Sequence, residues 1–282
     1  MSSFSIHRRA LVSELQEKLR RWEEARRPAG AARTSTGCDQ LDRLFPDGGV
    51  ARGTLVEWLA EGEGGGAMWL ALMAARQACQ EHGPLVVIDG RGTFYPPAAV
   101  MAGIDPQRLI VVRVTLARDE SWALDQALRS GGAGAVLCLT DRLSQRGARR
   151  LQLAAEAGGG VGFLVRPASV RGEPCWAEVR LLVEPCLGTG VRKGDGHLLP
   201  ERPEGCFAQK VPVPFSDGGK KGTNGQRAAR CLAVEVLKTR GTLASELAEQ
   251  KRLELEIDDE TGIVRAVARL DPAAARRRWS GA

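Results

Sequence analysis

The chain has little histidine, no cysteine pair at metal-binding spacing and no long apolar run. Its three histidines, His7, His82 and His197, lie far apart, with no carboxylate or cysteine at ligand spacing. They read as surface or core residues, and a histidine metal centre is not expected. The seven cysteines (Cys38, Cys79, Cys138, Cys175, Cys186, Cys206 and Cys231) are scattered without a C-x-x-C pair. Most fall in apolar strand- or helix-like runs and read as buried thiols, so neither a metal site nor a disulfide framework is expected. No apolar run approaches the roughly 18 residues of a membrane span. The N-terminus lacks the apolar core of a secretory signal. The expected location is the cytoplasm, with no membrane partner.

What is present fits a globular protein. The 282 residues are 43% hydrophobic and 26% charged, enough to bury a substantial core. The net charge of +6 is uneven. Residues 1–35 carry 8 basic and 4 acidic groups, residues 36–189 carry 15 and 17, and residues 190–282 carry 17 and 13. The basic excess lies in the two ends. Basic ends suit contact with nucleic acid or an acidic protein face, or simply a solvated surface.

Three parts are expected: 1–35, 36–185 and 186–282. In the first, Ile6, Leu11, Leu15, Leu19 and Trp22 recur near the helical period. They predict an amphipathic helix over 5–27 that packs on its own body or docks on a partner. The second alternates strand-like runs (54–59, 85–89, 109–114, 135–139, 162–165 and 176–183) with helix-like runs (67–81, 97–102, 119–129 and 144–157). Short continuous apolar strands between helices predict a doubly wound α/β domain with a buried parallel sheet. The third opens with a Gly-, Pro- and charge-rich stretch to 228 that reads as a flexible linker. A strand follows at 231–237. The alternating Leu253–Ile257, a turn and Ile263–Leu270 then predict a β-hairpin. The six tryptophans read mostly as core.

At the first strand–helix junction the glycines of a phosphate-binding loop are present and its chemistry is missing. Gly62, Gly64, Gly65 and Gly66 lead into Ala67-Met68, with no Lys, Ser or Thr between Glu57 and Leu72. Such a loop needs a Lys for the β/γ-phosphates and a hydroxyl for Mg²⁺. Glu61 and Glu63 add negative charge beside the turn. The ring of Trp69 is placed to fill part of the space a nucleotide would take. Ser144-Gln-Arg146 with Arg149-Arg150 gathers basic groups at one helix start, a DNA-facing surface or a solvated face.

The order Thr36-Gly37, Leu41-Asp42, Gly48-Gly49-Val50, Gly53 and Val56-Glu57 resembles the beginning of the RecA ATPase core. The likeness continues through Val87-Ile-Asp-Gly-Arg91, Ala98–Ala102, Gly103-Ile-Asp105 and Leu109, and spans roughly 150 residues. The resemblance implies an α/β, RecA-like P-loop NTPase core with a degenerate P-loop (Gly62, Gly64, Gly65, Gly66, Ala67, Met68), an N-terminal helix and a small C-terminal extension containing a β-hairpin. It also implies three lost roles. The P-loop Lys and Thr are absent. Arg91 stands where the catalytic Glu belongs, and a guanidinium has no acceptor with which to orient water. Asp141 falls one or two places beyond the position of the Mg²⁺-holding Asp at Leu139 or Thr140.

With Val234-Glu-Val-Leu-Lys-Thr-Arg-Gly241 and Glu256-Ile-Asp-Asp-Glu-Thr-Gly262, the chain resembles the ImuA family, RecA-like accessory proteins of the bacterial mutagenesis cassette. The resemblance implies a non-enzymatic protein without cofactor that acts in DNA-damage-induced, error-prone translesion synthesis. Its implied partners are an ImuB-like Y-family protein and RecA, with DNA contact secondary. Partner-binding candidates are Arg240, Asp258, Asp259, Arg276, Arg277, Arg278 and Trp279. Two other readings stay open: a RecA-like ATPase with an atypical P-loop acting in recombination, and a RecA-like cell-division inhibitor of the damage response.

Overall fold

Leu55-Val-Glu-Trp-Leu-Ala60 forms the middle strand of a nine-stranded sheet, and its alternation assigns each side chain to one of two cores. In the computed structural model, which describes residues 32–46, 48–62, 66–186, 229–239, 252–258 and 262–266, this is strand β3. A two-residue ribbon precedes it, β1 (Arg33–Thr34) paired antiparallel with β2 (Val50–Ala51). Between them lies a single helical turn, α1 (Asp39–Asp42). The Leu41-Asp42 pair has a structural use here. Leu41 is buried, and the Asp42 carboxylate accepts from Thr36 N–H, Thr36 Oγ1 and Ser35 Oγ, each at 2.6 Å.

After β3 come α2 (Ala67–Glu81), β4 (Leu85–Asp89), α3 (Pro96–Met101), β5 (Leu109–Arg113), α4 (Ala117–Arg129), β6 (Ala135–Leu139), α5 (Gln145–Gly158), β7 (Val161–Pro167) and β8 (Val179–Cys186). The strand order is β11-β10-β9-β8-β3-β7-β6-β4-β5. The six strands from β8 to β5 are parallel. β9 (Ala229–Thr239), β10 (Arg252–Asp258) and β11 (Val264–Ala266) then add on antiparallel. The expected α/β sheet is there, and β9–β11 extend it. The expected boundary at 185/186 falls inside β8.

Helices cover both faces of the sheet. On one, Val56 and Trp58 join the alanine-rich side of α2, where Ala71, Ala74, Ala75 and Ala78 are fully buried. Small side chains let this helix lie close to the sheet. The same core runs without a break under Leu232, Val234, Val236, Leu255 and Ile257. On the other face, Leu55 packs with Leu124 and Leu128 of α4 and Leu151 of α5. Ser144 caps α5, its Oγ accepting from Gly147 N–H at 3.1 Å.

Several expectations need correction. Cys186 and Cys231 face each other across the β8–β9 ladder and form a disulfide. Strand pairing brings together two cysteines that 45 residues of sequence separate. Cys38, Cys79 and Cys138 are buried thiols as expected, and Cys175 is partly buried. Trp58 is core, but Trp122 is 61% exposed and Trp176 is also exposed. Trp122 lies two residues from the buried Leu124, about 200° around the helix and so on its opposite side. The strand expected from Trp176 starts only at Val179, because Cys175 and Ala177 turn their carbonyls to Lys238 Nζ, at 2.5 and 3.2 Å. Of the hairpin's return strand, expected over 263–270, Val264–Ala266 is strand, and 267–270 lie outside the described residues. The helix expected at 5–27 and the linker at 187–228 lie outside the described residues.

Candidate functional site

The Gly-rich turn stands at the C-terminal end of β3, where open α/β sheets place their ligands. Gly62 and Gly66 both take positive φ, 74° and 79°, and Gly66 caps α2 in the left-handed region. Gly64 and Gly65 lie outside the described residues. The helix start is covered by the chain itself. A Cβ on Gly66 would collide with the side chain of Leu232 from β9. Ala67 is buried and Met68 packs against the core. Trp69 reaches the hairpin turn instead of open space. Its Nε1 donates to Gly262 O at 3.3 Å, and its ring lies so close to Gly262 that a Cβ there would collide with it. Gly262 also has positive φ, 68°, and closes the turn by donating its N–H to Asp258 O at 2.7 Å. Both glycines are therefore required by close approach as well as by conformation.

Arg91 and Asp141, two residues singled out by the expected resemblance, meet each other. Arg91, after β4, forms an ion pair with Asp141, after β6, and both are exposed. Asp89 is buried, its carboxylate accepting from Thr93 N–H at 3.0 Å and Phe94 N–H at 3.2 Å, which folds the loop after β4. Glu120 of α4 approaches from the side. Cys138 Sγ donates to it at 3.7 Å, and a Cβ on Gly90 would strike it. Burial, reinforced by Glu120, holds the Cys138 thiol protonated, well above its ordinary pKa.

A denser ionic cluster lies on the opposite face of β3, and the sequence reading missed it. Glu57 is 2% exposed and sits between two arginines, Arg166 of β7 (3%) and Arg180 of β8 (4%). Its Oε1 accepts from Arg166 Nη1 at 2.8 Å, and its Oε2 accepts from Arg180 Nε at 2.5 Å and Cys175 Sγ at 2.8 Å. Arg166 Nη2 also bonds Glu173 at 2.8 Å and Asp141 O at 3.1 Å. Arg180 Nη1 donates to the carbonyls of Glu173 and Arg171, at 2.6 and 3.1 Å. Burial alone would raise the pKa of Glu57, but hydrogen bonds from Arg180, Cys175 and Arg166 outweigh it, so the net shift is downward. Burial, with Glu57 beside it, pushes the Cys175 thiol up to about 11. This thiol is a hydrogen-bond donor at neutral pH and not a nucleophile. The available signal in the sequence was a charge inside each of three apolar strands. Buried charges need partners, and the register supplies them by aligning Glu57 with Arg180 and Leu59 with Arg166.

The basic group at the start of α5 is largely engaged. Arg150 Nε bonds Asp125 at 3.0 Å, Arg129 Nε bonds the same carboxylate at 3.1 Å, and Arg149 stacks over Trp176 at 5.3 Å. Asp258 ends β10, where its N–H donates to Ile263 O at 3.0 Å. Arg240, Asp259 and Arg276–Trp279 lie outside the described residues. Among the described residues, no helix is long and apolar enough to cross a membrane, and no group of three His, Cys, Asp or Glu side chains is placed to hold a metal.

No family model matches the sequence, and no curated protein does. Among solved structures, the chain is similar to SulA from Pseudomonas aeruginosa, with 20% identity over 40% of this chain and 97% of that one. The TM-score is 0.36.

Proposed function

We propose that this protein is a non-catalytic, RecA-like accessory protein of the DNA-damage response, working through protein contacts in error-prone translesion synthesis. The observation that carries the non-catalytic half is the junction of β3 and α2. It offers no Lys, Ser or Thr to a triphosphate, and Leu232 and the Gly262 turn occupy the approach to the helix start. The Arg91–Asp141 pair supports the same reading, because both side chains are engaged with each other. The translesion half rests on the resemblance to the ImuA family, and its partners are an ImuB-like Y-family protein and RecA.

Two experiments on the full chain test the two halves separately. Titration with ATP and Mg²⁺ should give no saturable binding, and micromolar Mg²⁺-dependent affinity would sink the non-catalytic reading in favour of an atypical ATPase. Co-purification should retain an ImuB-like protein and not a cell-division GTPase; the reverse result selects the division-inhibitor reading. Truncation before β9 is unsuitable for mapping the contact, since Leu232, Val234, Val236, Leu255 and Ile257 belong to the main core. Charge reversal at Arg276, Arg277 and Arg278, or at Asp258 and Asp259, is the suitable alternative.

A further inference from the structure

The stretch Val234–Lys238 contains a β-bulge whose consequence is chemical. In the β8–β9 ladder Arg180 opposes Lys238 and Leu181 opposes Val236, so Leu237 is an extra residue without a partner. Side chains three apart on a regular strand point to opposite faces. The extra residue cancels that alternation, and Glu235 and Lys238 both turn to the face that holds Glu57 and Arg180. There they line a cavity of about 260 Å³ together with Arg171, Arg180, Val236 and Leu237.

The walls of this cavity carry three cations, Arg171, Arg180 and Lys238, against one carboxylate, Glu235. Glu235 bonds Arg171 Nη2 at 3.1 Å, a half-exposed pair that solvent and competing ions weaken readily. Arg180 is held rigidly from beneath by Glu57 and by two backbone carbonyls. Its remaining nitrogen, Nη2, is buried and has no hydrogen-bond partner among the described residues. A guanidinium N–H left unmatched in the interior is costly, and Arg180 stays there as a fixed cation beneath the cavity, its Nε and Nη1 already engaged. The volume is below that of sites for drug-sized ligands, so the fitting guest is small.

We propose that this cavity is an oxyanion-binding site, taking a carboxylate or phosphate group through Arg171 over the fixed charge of Arg180, with Glu235 as the built-in competitor. The arginine fork suits either group, and the site does not depend on the RecA-like reading. Isothermal titration of the full chain with inorganic phosphate, and separately with succinate, tests it and tells the two chemistries apart. Saturable one-to-one binding of at least one of them in the millimolar range or tighter is expected. Arg171→Gln should weaken it about tenfold or more, the effect of losing one charge-assisted hydrogen bond. Glu235→Gln should tighten it, because the internal competitor is gone. The proposal is overturned by no saturable heat with either anion, or by Glu235→Gln leaving affinity unchanged or weaker. Equal affinity in Arg171→Gln that retains the native circular dichroism spectrum also overturns it. Should Arg171→Gln fail to fold, the wild-type and Glu235→Gln titrations still decide.

Discussion

At the start of α2 glycines are plentiful and cations absent; around Glu57 and the β8–β9 bulge, Arg166, Arg171, Arg180 and Lys238 crowd together. The first place carries a loud sequence signal and little chemistry. Gly66 serves close packing by making room for Leu232, as Gly262 of the hairpin turn makes room for Trp69. The second carries almost no local signal, yet it holds three of the six buried charged residues among those described, Glu57, Arg166 and Arg180. Glu57, Arg166 and Arg180 each look like an interruption of an apolar strand until the sheet brings them within hydrogen-bond distance. A motif reports what a backbone segment can do. Which side chains share one environment is reported only by the fold.

The largest expected effect comes from emptying the dense region. Glu57→Ala strands two buried guanidinium groups, and breaking a buried pair this way costs about 3–5 kcal/mol. Chemical denaturation should show a loss of that size or a protein that no longer folds; a loss below about 1 kcal/mol would place the network in the range of exposed ion pairs.

The glycine region should respond through packing. Leu232→Ala removes a buried side chain and should cost about 2–5 kcal/mol. Gly66→Ala should cost about 1–2 kcal/mol from the left-handed backbone alone, plus whatever shift Leu232 must make. In the Leu232→Ala background the second part vanishes, so the Gly66→Ala penalty should shrink. Additive penalties in a double-mutant cycle would show that the two do not touch in solution.

Acid separates the regions further. Glu57 and Asp125 are both pulled up by burial and pulled down further by arginine hydrogen bonds, leaving each below its ordinary pKa. Their stabilisation is therefore full above the ordinary carboxylate range of about 4. It is lost as pH falls through their lower native values. Thermal unfolding followed from neutral to about pH 3 should steepen at the acid end, and Glu57→Gln should flatten that limb. Smallest of all is Arg91→Ala. Its partner Asp141 is exposed, and the cost should stay within about 1 kcal/mol. A larger loss would mean that the pair holds the loops after β4 and β6 together.

Much of the central domain was legible because its strands and helices are short periodic segments. Leu85–Asp89, Ala135–Leu139 and Ala67–Glu81 fall on their expected boundaries. The errors have local causes. Trp122 counts as apolar, but α4 turns it to solvent; the strand expected at Trp176 is delayed by the carbonyls that hold Lys238. The hairpin at 252–266 was readable from alternation, whereas its seat on Trp69 was not, since no pattern links residues 193 positions apart. The disulfide was hidden for the same reason.

By itself the sequence determined the alternation of strand and helix, the parallel core and the lack of phosphate-binding side chains at the Gly-rich turn. Those follow from local periodicity and residue chemistry. Only the tertiary structure decided that β9–β11 continue the core sheet and cover the helix start. It alone paired Cys186 with Cys231 and turned Glu235 and Lys238 toward Arg180 through one extra residue. These depend on strand register, and register is settled by which buried faces and charges satisfy one another across the whole sheet.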